Sequence, residues 1–330
     1  MSTGTVIVKL PRHFANFRFY KAKQAHSRAL GVIVGRNSNG SAIQDHSART
    51  FSVCSVAKLF EHKSCTYTYL LACNRTKEAA LIDPVIEMVP RDVKLLHQLG
   101  YSLKYALNTH VHADHITGSG KLKEHFSGAK SVLGIDSGAK ADIHVDHLQT
   151  LQIGDITLEA RKTPGHTNGC MTYVWHSQKK VFCGDAILIR GCGRTDFQQG
   201  DADKLYSSVH TQIFTLPDEY SIFPAHDYTG QPWTTVGEEK MHNPRLTKER
   251  AVFIDLMNNL NLPYPKQIGT SVYCDLVLCA CPSTFKVVLS PMFGNAESYS
   301  DSKNVYFEIK YIILNNKNLN KFLKNIAKLF

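Results

Sequence analysis

The stretch NTHVHADHITG, residues 108–118, places three histidines and an aspartate within six consecutive positions. In an extended backbone, residues two apart point to the same side, so His110 and His112 can face one ion together. Beyond the turn that follows, Asp114 and His115 point toward a second position. Imidazoles and a carboxylate gathered in one loop are costly to bury without a partner. The spacing H-x-H-x-D-H therefore predicts a metal site.

The sequence around this stretch has the pattern of an α/β domain. Residues 65–72, CTYTYLLA, are rich in aromatic and β-branched side chains, which is typical of a strand. Residues 89–100 carry apolar side chains at helical spacing between a proline and a glycine, which predicts a helix. Further strands are predicted at 78–84, 102–109, 156–162, 171–175, 180–183 and 220–223, and helices at 203–214 and 247–260.

Three more metal-ligating side chains follow predicted strands. His166 lies in KTPGHTNG, Asp185 in VFCGDAIL and His226 in IFPAHDY. The α/β sheets commonly place their sites in loops that follow strand ends. The sequence therefore contributes seven candidate metal ligands: His110, His112, Asp114, His115, His166, Asp185 and His226.

The net charge of +10 is concentrated at the two ends of the chain. Residues 1–50 hold eight Lys and Arg against one Asp, and residues 269–330 hold seven Lys against four acids, so the middle carries no net charge. A nucleic-acid-binding domain would be expected to carry a basic face on its folded part. The sequence also lacks a run of about 18 apolar residues. Nucleic acid and membrane are therefore not expected as partners.

Composition divides the chain into three parts. The first 44 residues lack Asp and Glu and mix basic residues with Ser, Ala and aromatics. This composition favours a mitochondrial transit segment at 1–50 over a disordered basic tail. Residues 51–268 form the predicted catalytic domain. Residues 269–330 are an atypical tail, rich in Asn, Lys and Ile, which is either translated non-coding sequence or a true extension with a strand at 305–314 and a helix at 319–330.

The order of H-x-H-x-D-H, G-H-T, G-D and A-H-D resembles the metallo-β-lactamase fold superfamily. This resemblance implies a four-layer αβ/βα sandwich with a metal site at one edge. In the dimetal hydrolases of that superfamily, the positions of His110, His112 and His166 hold one ion. Those of Asp114, His115 and His226 hold the other, and that of Asp185 bridges the two. All seven positions are filled here, so a dimetal hydrolase stays open.

Residues 51–268 resemble the persulfide dioxygenase family more closely. The matching segments are CTYTYLLA, THVHADHITGSG, FPAHDYTG, NPRLT and, most specifically, IRGCGRTDFQQG at 189–200. The resemblance implies one Fe(II) per chain, held by His110, His166 and Asp185. His112, Asp114, His115 and His226 would then lie in the pocket without holding a second ion. Two histidines and one carboxylate leave roughly three positions of an octahedral iron open for substrate and O2.

The same resemblance implies the reaction and its setting. Glutathione persulfide, O2 and water would give sulfite and glutathione in the mitochondrial matrix, as part of sulfide catabolism. The enzyme would be a homodimer, and a sulfurtransferase could supply the persulfide. Arg194 matches a position near the substrate and could pair with a glutathione carboxylate, although an ion pair with Asp196 is the alternative. Tyr228 could hydrogen-bond glutathione or the bound sulfur, or simply pack.

Two other functions compete with this interpretation. The first is a hydroxyacylglutathione hydrolase of the glyoxalase II type, which cleaves a thioester with two metals. The tail after residue 268 does not resemble the helical extension of those enzymes, and RGCGRTDFQQG suits the dioxygenase better. The second is a non-catalytic protein that uses the metal fold as a scaffold. Loss of His110, His166 or Asp185 would have favoured it, and all three are present.

Overall fold

The structure is a computed structural model that describes residues 2–11, 54–260, 262, 271–272, 274–275, 288–291 and 304–313 of the 330-residue chain. The chain divides into two compact units. One comprises Met1–Phe51 together with Phe285–Phe330, and the other comprises Ser52–Thr284. The second unit contains the predicted catalytic domain and extends beyond its predicted end at residue 268. The predicted helix at 319–330 lies outside the described residues.

The described residues form fifteen strands and five α-helices. The strands are β1 (Ser2–Pro11), β2 (Cys54–Glu61), β3 (Thr66–Cys73), β4 (Glu78–Ile82), β5 (Ser102–Leu107), β6 (Lys130–Gly134), β7 (Ile143–Val145), β8 (Thr150–Ile153), β9 (Ile156–Lys162), β10 (Met171–Trp175), β11 (Lys180–Gly184), β12 (Ser221–Pro224), β13 (Thr234–Thr235), β14 (Val288–Pro291) and β15 (Asn304–Ile313). The helices are α1 (Val89–Leu99), α2 (Ser119–His125), α3 (Ala202–Ser208), α4 (Val236–His242) and α5 (Arg250–Asn258).

Two six-stranded sheets form the larger unit. The first has the order β2-β3-β4-β5-β6-β7, and the second has the order β13-β12-β11-β10-β9-β8. Strands β4 to β7 run parallel to one another, and α1 and α2 provide the crossovers between β4, β5 and β6. In the second sheet, only β11 and β12 pair in parallel. Parallel pairs need long crossover connections, and these place the helices on the outer faces.

The two sheets pack face to face over a core of aromatic and aliphatic side chains. Alternate residues of a strand point to opposite faces. In β3, Tyr69 and Leu71 enter the core between the sheets, whereas Leu70 and Ala72 pack under α1 and α2. The outer face of the second sheet packs against α3, α4 and α5 through a separate apolar cluster. The layers are thus helices, sheet, sheet and helices, which confirms the predicted αβ/βα sandwich.

The predicted strands of this unit are confirmed with small shifts at their ends. The helix predicted at 203–214 begins as the α-helix α3. It then continues as one wider π-helical turn, Val209–Ile213. The helix predicted at 247–260 is shorter, Arg250–Asn258. Sequence analysis missed several elements, namely β2, β6, β7, β8, β13, α2 and α4. Several of these are too short to show a periodic pattern: α2 has seven residues and β7 has three.

The terminal unit contains one three-stranded antiparallel sheet with the order β1-β15-β14. Strand β1 pairs with β15 along its whole length, from Ser2 opposite Ile313 to Pro11 opposite Asn304. The strand predicted at 305–314 is confirmed as β15. Strand β1 lies within the predicted transit segment. No helix in the described part of the chain is long and apolar enough to cross a membrane.

Candidate metal centre

Loops from both sheets bring the seven predicted ligands together. The histidine loop, residues 108–118, connects β5 of the first sheet to α2. The other three ligands follow strands of the second sheet: His166 follows β9, Asp185 follows β11 and His226 follows β12. A backbone hydrogen bond from Met171 N to Thr109 O, 2.8 Å long, ties the histidine loop to the second sheet. The site therefore lies where the ends of strands from both sheets meet.

The first ligand group consists of His110, His166 and Asp185. One ligand atom of each lies within 4.8 Å of those of the others. His166 Nε2 is 3.5 Å from Asp185 Oδ2, and the rings of His110 and His166 are 4.9 Å apart. Gly184, which precedes the carboxylate, has φ +57°, and a Cβ there would lie 2.5 Å from Thr109 Oγ1. Glycine permits both the turn and this close approach.

The second ligand group consists of His112, Asp114 and His115, and its ligand atoms also lie within 4.8 Å of one another. His226 lies between the two groups: its Nε2 is 3.6 Å from Asp114 Oδ2 and 3.7 Å from Asp185 Oδ1. The structure thus places all seven predicted residues in one cluster. His112, which the spacing predicted to share an ion with His110, instead groups with Asp114 and His115.

Thr66, at the start of β3, contacts the second group and was missed by sequence analysis. Its Oγ1 lies 3.3 Å from Asp114 Oδ2, 3.3 Å from His115 Nδ1 and 3.4 Å from His226 Nδ1. The residue is fully buried. In the sequence, Thr66 is part of the segment CTYTYLLA. That segment predicted a strand and gave no indication of a site residue.

Asp83, just after β4, holds the start of the histidine loop. Its carboxylate accepts hydrogen bonds from Thr109 N at 2.7 Å and from Thr109 Oγ1 at 2.9 Å. Oδ1 also lies 3.2 Å from His112 Nε2. The residue is buried and has φ +51°, a conformation that Asp tolerates better than most residues. Sequence analysis treated this aspartate only as the end of a strand.

The imidazoles have the hydrogen bonds expected of metal ligands. A ligating histidine usually donates one ring N–H to the protein and keeps the other nitrogen for the ion. His166 Nδ1 donates to Arg194 O at 2.7 Å, which leaves Nε2 facing Asp185. His112 Nε2 faces Asp83, and His115 Nδ1 faces Asp114 at 3.0 Å. The carbonyl of Arg194 is therefore part of the site through its backbone.

The remaining atoms of these side chains indicate a missing partner. His112 Nδ1, His115 Nε2 and Asp185 Oδ1 are buried without a hydrogen-bond partner. Leaving such atoms unpaired costs about 1–3 kcal/mol each. His112 and His115 belong to the second ligand group and Asp185 to the first, so cations bound at these groups would remove that cost. The donor set of imidazole nitrogens and carboxylate oxygens therefore fits a transition-metal ion.

Burial and neighbouring charges set the protonation states of the cluster. Burial lowers the pKa of both His110 and His112 well below the usual imidazole value, and neighbouring histidines lower it further. Both rings are thus neutral, which is the form that binds a metal. Burial opposes the charged form of His115 too, but the carboxyl groups of Asp114, Asp275 and Asp83 together outweigh it and raise the pKa of His115 to about 9. Without a metal, Asp114 and His115 therefore form an ion pair.

The two residues predicted to contact substrate differ in their surroundings. Arg194 forms a bidentate ion pair with Asp196, at 2.7 and 2.6 Å, and lies over the ring of Phe197. This pair is the alternative that the sequence left open for Arg194. The side chain of Tyr228 is 72% exposed, and its ring stacks 6.3 Å from that of His226. Tyr228 therefore lies on the rim of the cluster and is not buried by packing.

Comparison with known proteins identifies relatives of this site. Residues 66–226 match the metallo-beta-lactamase superfamily. Mitochondrial persulfide dioxygenase ETHE1 of Mus musculus is 54% identical over 215 residues, which cover 65% of this chain and 85% of that protein. The chain belongs to the persulfide dioxygenase family. The family has a solved structure, ETHE1 from Myxococcus xanthus, which is 45% identical with a TM-score of 0.64 and covers 66% of this chain and 96% of that one.

Relatives of the competing hydrolase type are more distant. A probable hydroxyacylglutathione hydrolase of Schizosaccharomyces pombe is 35% identical over 167 residues, which cover 49% of this chain and 64% of that protein. The predicted membership of the persulfide dioxygenase family, and with it the oxidoreductase class, is therefore confirmed.

Proposed function

We propose that this protein is an iron-dependent dioxygenase that oxidises glutathione persulfide. In the balanced reaction, glutathione persulfide, O2 and water give glutathione, sulfite and two protons. The observation that carries the proposal is the group His110, His166 and Asp185, whose ligand atoms converge within 4.8 Å. Two imidazoles and one carboxylate form the ligand set of non-haem Fe(II) oxygenases. The 54% identity to a persulfide dioxygenase supports this choice of reaction.

His110, His166 and Asp185 would hold one Fe(II) per chain. Bound iron supplies the redox chemistry that O2 requires, which Zn2+ lacks. Asp185 contributes the negative charge that favours oxidised states of the centre. The carbonyl of Arg194 fixes the ring of His166, and Asp83 fixes the loop that carries His110. The protein thus sets the ligand directions through hydrogen bonds around the site.

Arg194 and Tyr228 would bind the substrate at the rim. The partner of Arg194 in the structure, Asp196, is about half exposed, so a glutathione carboxylate could replace it. Because the Arg194 side chain is largely buried, a substrate carboxylate would have to replace both hydrogen bonds that Asp196 accepts. The hydroxyl of the exposed Tyr228 would donate a hydrogen bond to glutathione or to the bound sulfur.

Replacing Arg194 with alanine should chiefly raise the half-saturating concentration of glutathione persulfide, by roughly tenfold, the effect of losing one charged hydrogen-bonded contact. The maximal rate should change much less. Steady-state oxygen consumption measures both. Asp196→Ala is the matched control, because it removes the same ion pair but keeps the guanidinium. An unchanged half-saturating concentration in Arg194→Ala would contradict the substrate role.

Mitochondrial import would place the enzyme in the matrix, where it would act as a homodimer beside a persulfide-supplying sulfurtransferase. The acid-free, basic composition of residues 1–44 supports import, as do relatives named as mitochondrial. Fused to a fluorescent reporter, residues 1–50 should direct it to mitochondria. A control with the basic residues of this segment changed to Gln should stay in the cytosol. A diffuse signal from the unchanged fusion would contradict import.

The second ligand group favours one competing function, a dimetal hydroxyacylglutathione hydrolase. Two measurements on one purified sample distinguish the two. Protein reconstituted with Fe(II) should consume O2 when given glutathione persulfide and should contain about one iron per chain. Two metals per chain, no oxygen uptake and cleavage of S-lactoylglutathione would instead establish the hydrolase.

A further inference from the structure

Asp275, from the C-terminal part of the larger unit, contacts the histidine loop. Its Oδ2 accepts a hydrogen bond from His112 N at 3.1 Å, and its Oδ1 accepts one from Thr117 N at 2.7 Å. The two amides lie on either side of the turn that carries Asp114 and His115. One carboxylate therefore bridges both halves of the loop. Asp275 itself is 1% exposed, so water does not compete for these bonds.

The residues next to Asp275 also pack on the loop. Val272 lies against an apolar cluster formed by Val111, Leu133 and Ala139. Val111 is the residue between the two histidines of the H-x-H motif. Ser271 is fully buried as well. Val272 and Asp275 thus contact the loop through an apolar and a polar group, although they lie beyond residue 268, where the sequence resemblance ends.

The loop depends on such contacts because it has left the sheet. Asn108 N, at the start of the loop, still donates to Val132 O of β6 at 3.0 Å, whereas the amides of His112 and Thr117 donate to Asp275. Buried backbone N–H groups need a hydrogen-bond acceptor. A carboxylate provides two acceptor atoms at fixed separation, one for each of the two amides. Asp83 fixes the loop at Thr109, whereas Asp275 fixes it further along the chain.

We propose that Asp275 is a positioning residue of the metal centre. Its carboxylate fixes the backbone at His112 and Thr117 and thereby sets the directions in which the loop presents its ligands. Asp275 itself touches neither ligand side chains nor substrate through any hydrogen bond that the structure describes. The inference rests on the metal centre of the proposed function but is independent of the reaction that the metal supports.

The test uses the full-length chain with cobalt(II) as the probe ion. Asp275→Ala should weaken cobalt binding roughly 10–100-fold, as loss of a positioning contact typically does. It should also change the absorption spectrum of the bound cobalt, which reports ligand geometry. In the metal-free protein, the amides of His112 and Thr117 should exchange with deuterium roughly tenfold faster or more, because their acceptor is lost.

Two further variants separate positioning from general loosening of the fold. Asp275→Asn keeps one oxygen acceptor but presents an N–H to the second amide, so its effects should be smaller than those of alanine. Asp92→Ala removes another fully buried carboxylate, on α1, which accepts a hydrogen bond from Arg91 Nε. It should lower the melting temperature while leaving the cobalt spectrum and loop exchange unchanged.

Unchanged cobalt binding and exchange in Asp275→Ala would overturn the proposal, as would equal changes in Asp92→Ala. Failure of the proposed function has a different signature. In that case, the wild-type protein would bind metal without consuming O2, while the cobalt and exchange results would still identify Asp275 as a positioning residue.

Discussion

Asp185→Ala is expected to lose bound iron and oxygen consumption together. The carboxylate is the single anionic member of the group with His110 and His166, and its Oδ1 is buried without a hydrogen-bond partner. Residues that only orient ligands already change metal affinity or activity by about 10–100-fold. Loss of a direct ligand should therefore reduce both by at least about 100-fold. Iron analysis after gel filtration and an oxygen electrode measure the two quantities on one sample.

Asp114→Ala is the matched control for this experiment. It removes a carboxylate of the second ligand group. Asp114 Oδ2 lies 3.6 Å from His226 Nε2, which is also 3.7 Å from Asp185 Oδ1. If one iron occupies the first group, the Asp114 variant keeps about one iron per chain while the Asp185 variant keeps none. Full iron and full turnover in Asp185→Ala would contradict the assigned ligands. Equal loss of metal in both variants would indicate a site that uses both groups.

Asp83→Ala should have the second-largest effect, on stability as well as on metal binding. Its removal leaves the buried amide of Thr109 without an acceptor and takes the partner from His112 Nε2. Leaving a buried donor without its acceptor typically costs about 1–3 kcal/mol. Alanine at φ +51° adds about 1–2 kcal/mol of backbone strain. We expect a lower free energy of unfolding in urea and metal affinity reduced roughly 10–100-fold.

Asp83→Asn separates these contributions. Asn tolerates positive φ and keeps one oxygen for Thr109 N, so it should avoid most of the strain and part of the hydrogen-bond loss. Its free energy of unfolding should lie between those of the wild type and Asp83→Ala. Metal affinity that stays at the wild-type value in both variants would show that Asp83 does not orient the loop.

The sequence located the candidate ligands because each of them is marked by a local pattern. His110, His166, Asp185 and His226 all follow strands whose apolar runs are visible in the sequence, and strand ends gather at one edge of a sheet. The layer arrangement also follows from these alternating patterns, once the resemblance specifies the superfamily. The ligand loops were thus located before their spatial contacts were known.

The residues around the ligands were missed because their roles depend on contacts distant in sequence. Thr66 and His226 are 160 residues apart in the sequence, yet their side chains are in contact. Asp275 and His112 are 163 residues apart and share a hydrogen bond. Arg194 serves the site through its carbonyl oxygen, which every residue possesses, so its side chain gives no signal for that role. Such contacts become visible only when the two sheets are packed together.

The division of the ligands between two sheets has a thermodynamic consequence. His110 follows a strand of one sheet, whereas His166 and Asp185 follow strands of the other, so an ion bound by all three is a cross-link between the halves of the sandwich. An ion that binds only the folded state stabilises it by about 4 kcal/mol when free metal is 1,000 times its dissociation constant. Substitutions in the intersheet core, at Tyr69 or Phe182, should therefore weaken metal binding without touching a ligand. By the same linkage, the folded fraction of this protein in a cell would rise and fall with its iron supply.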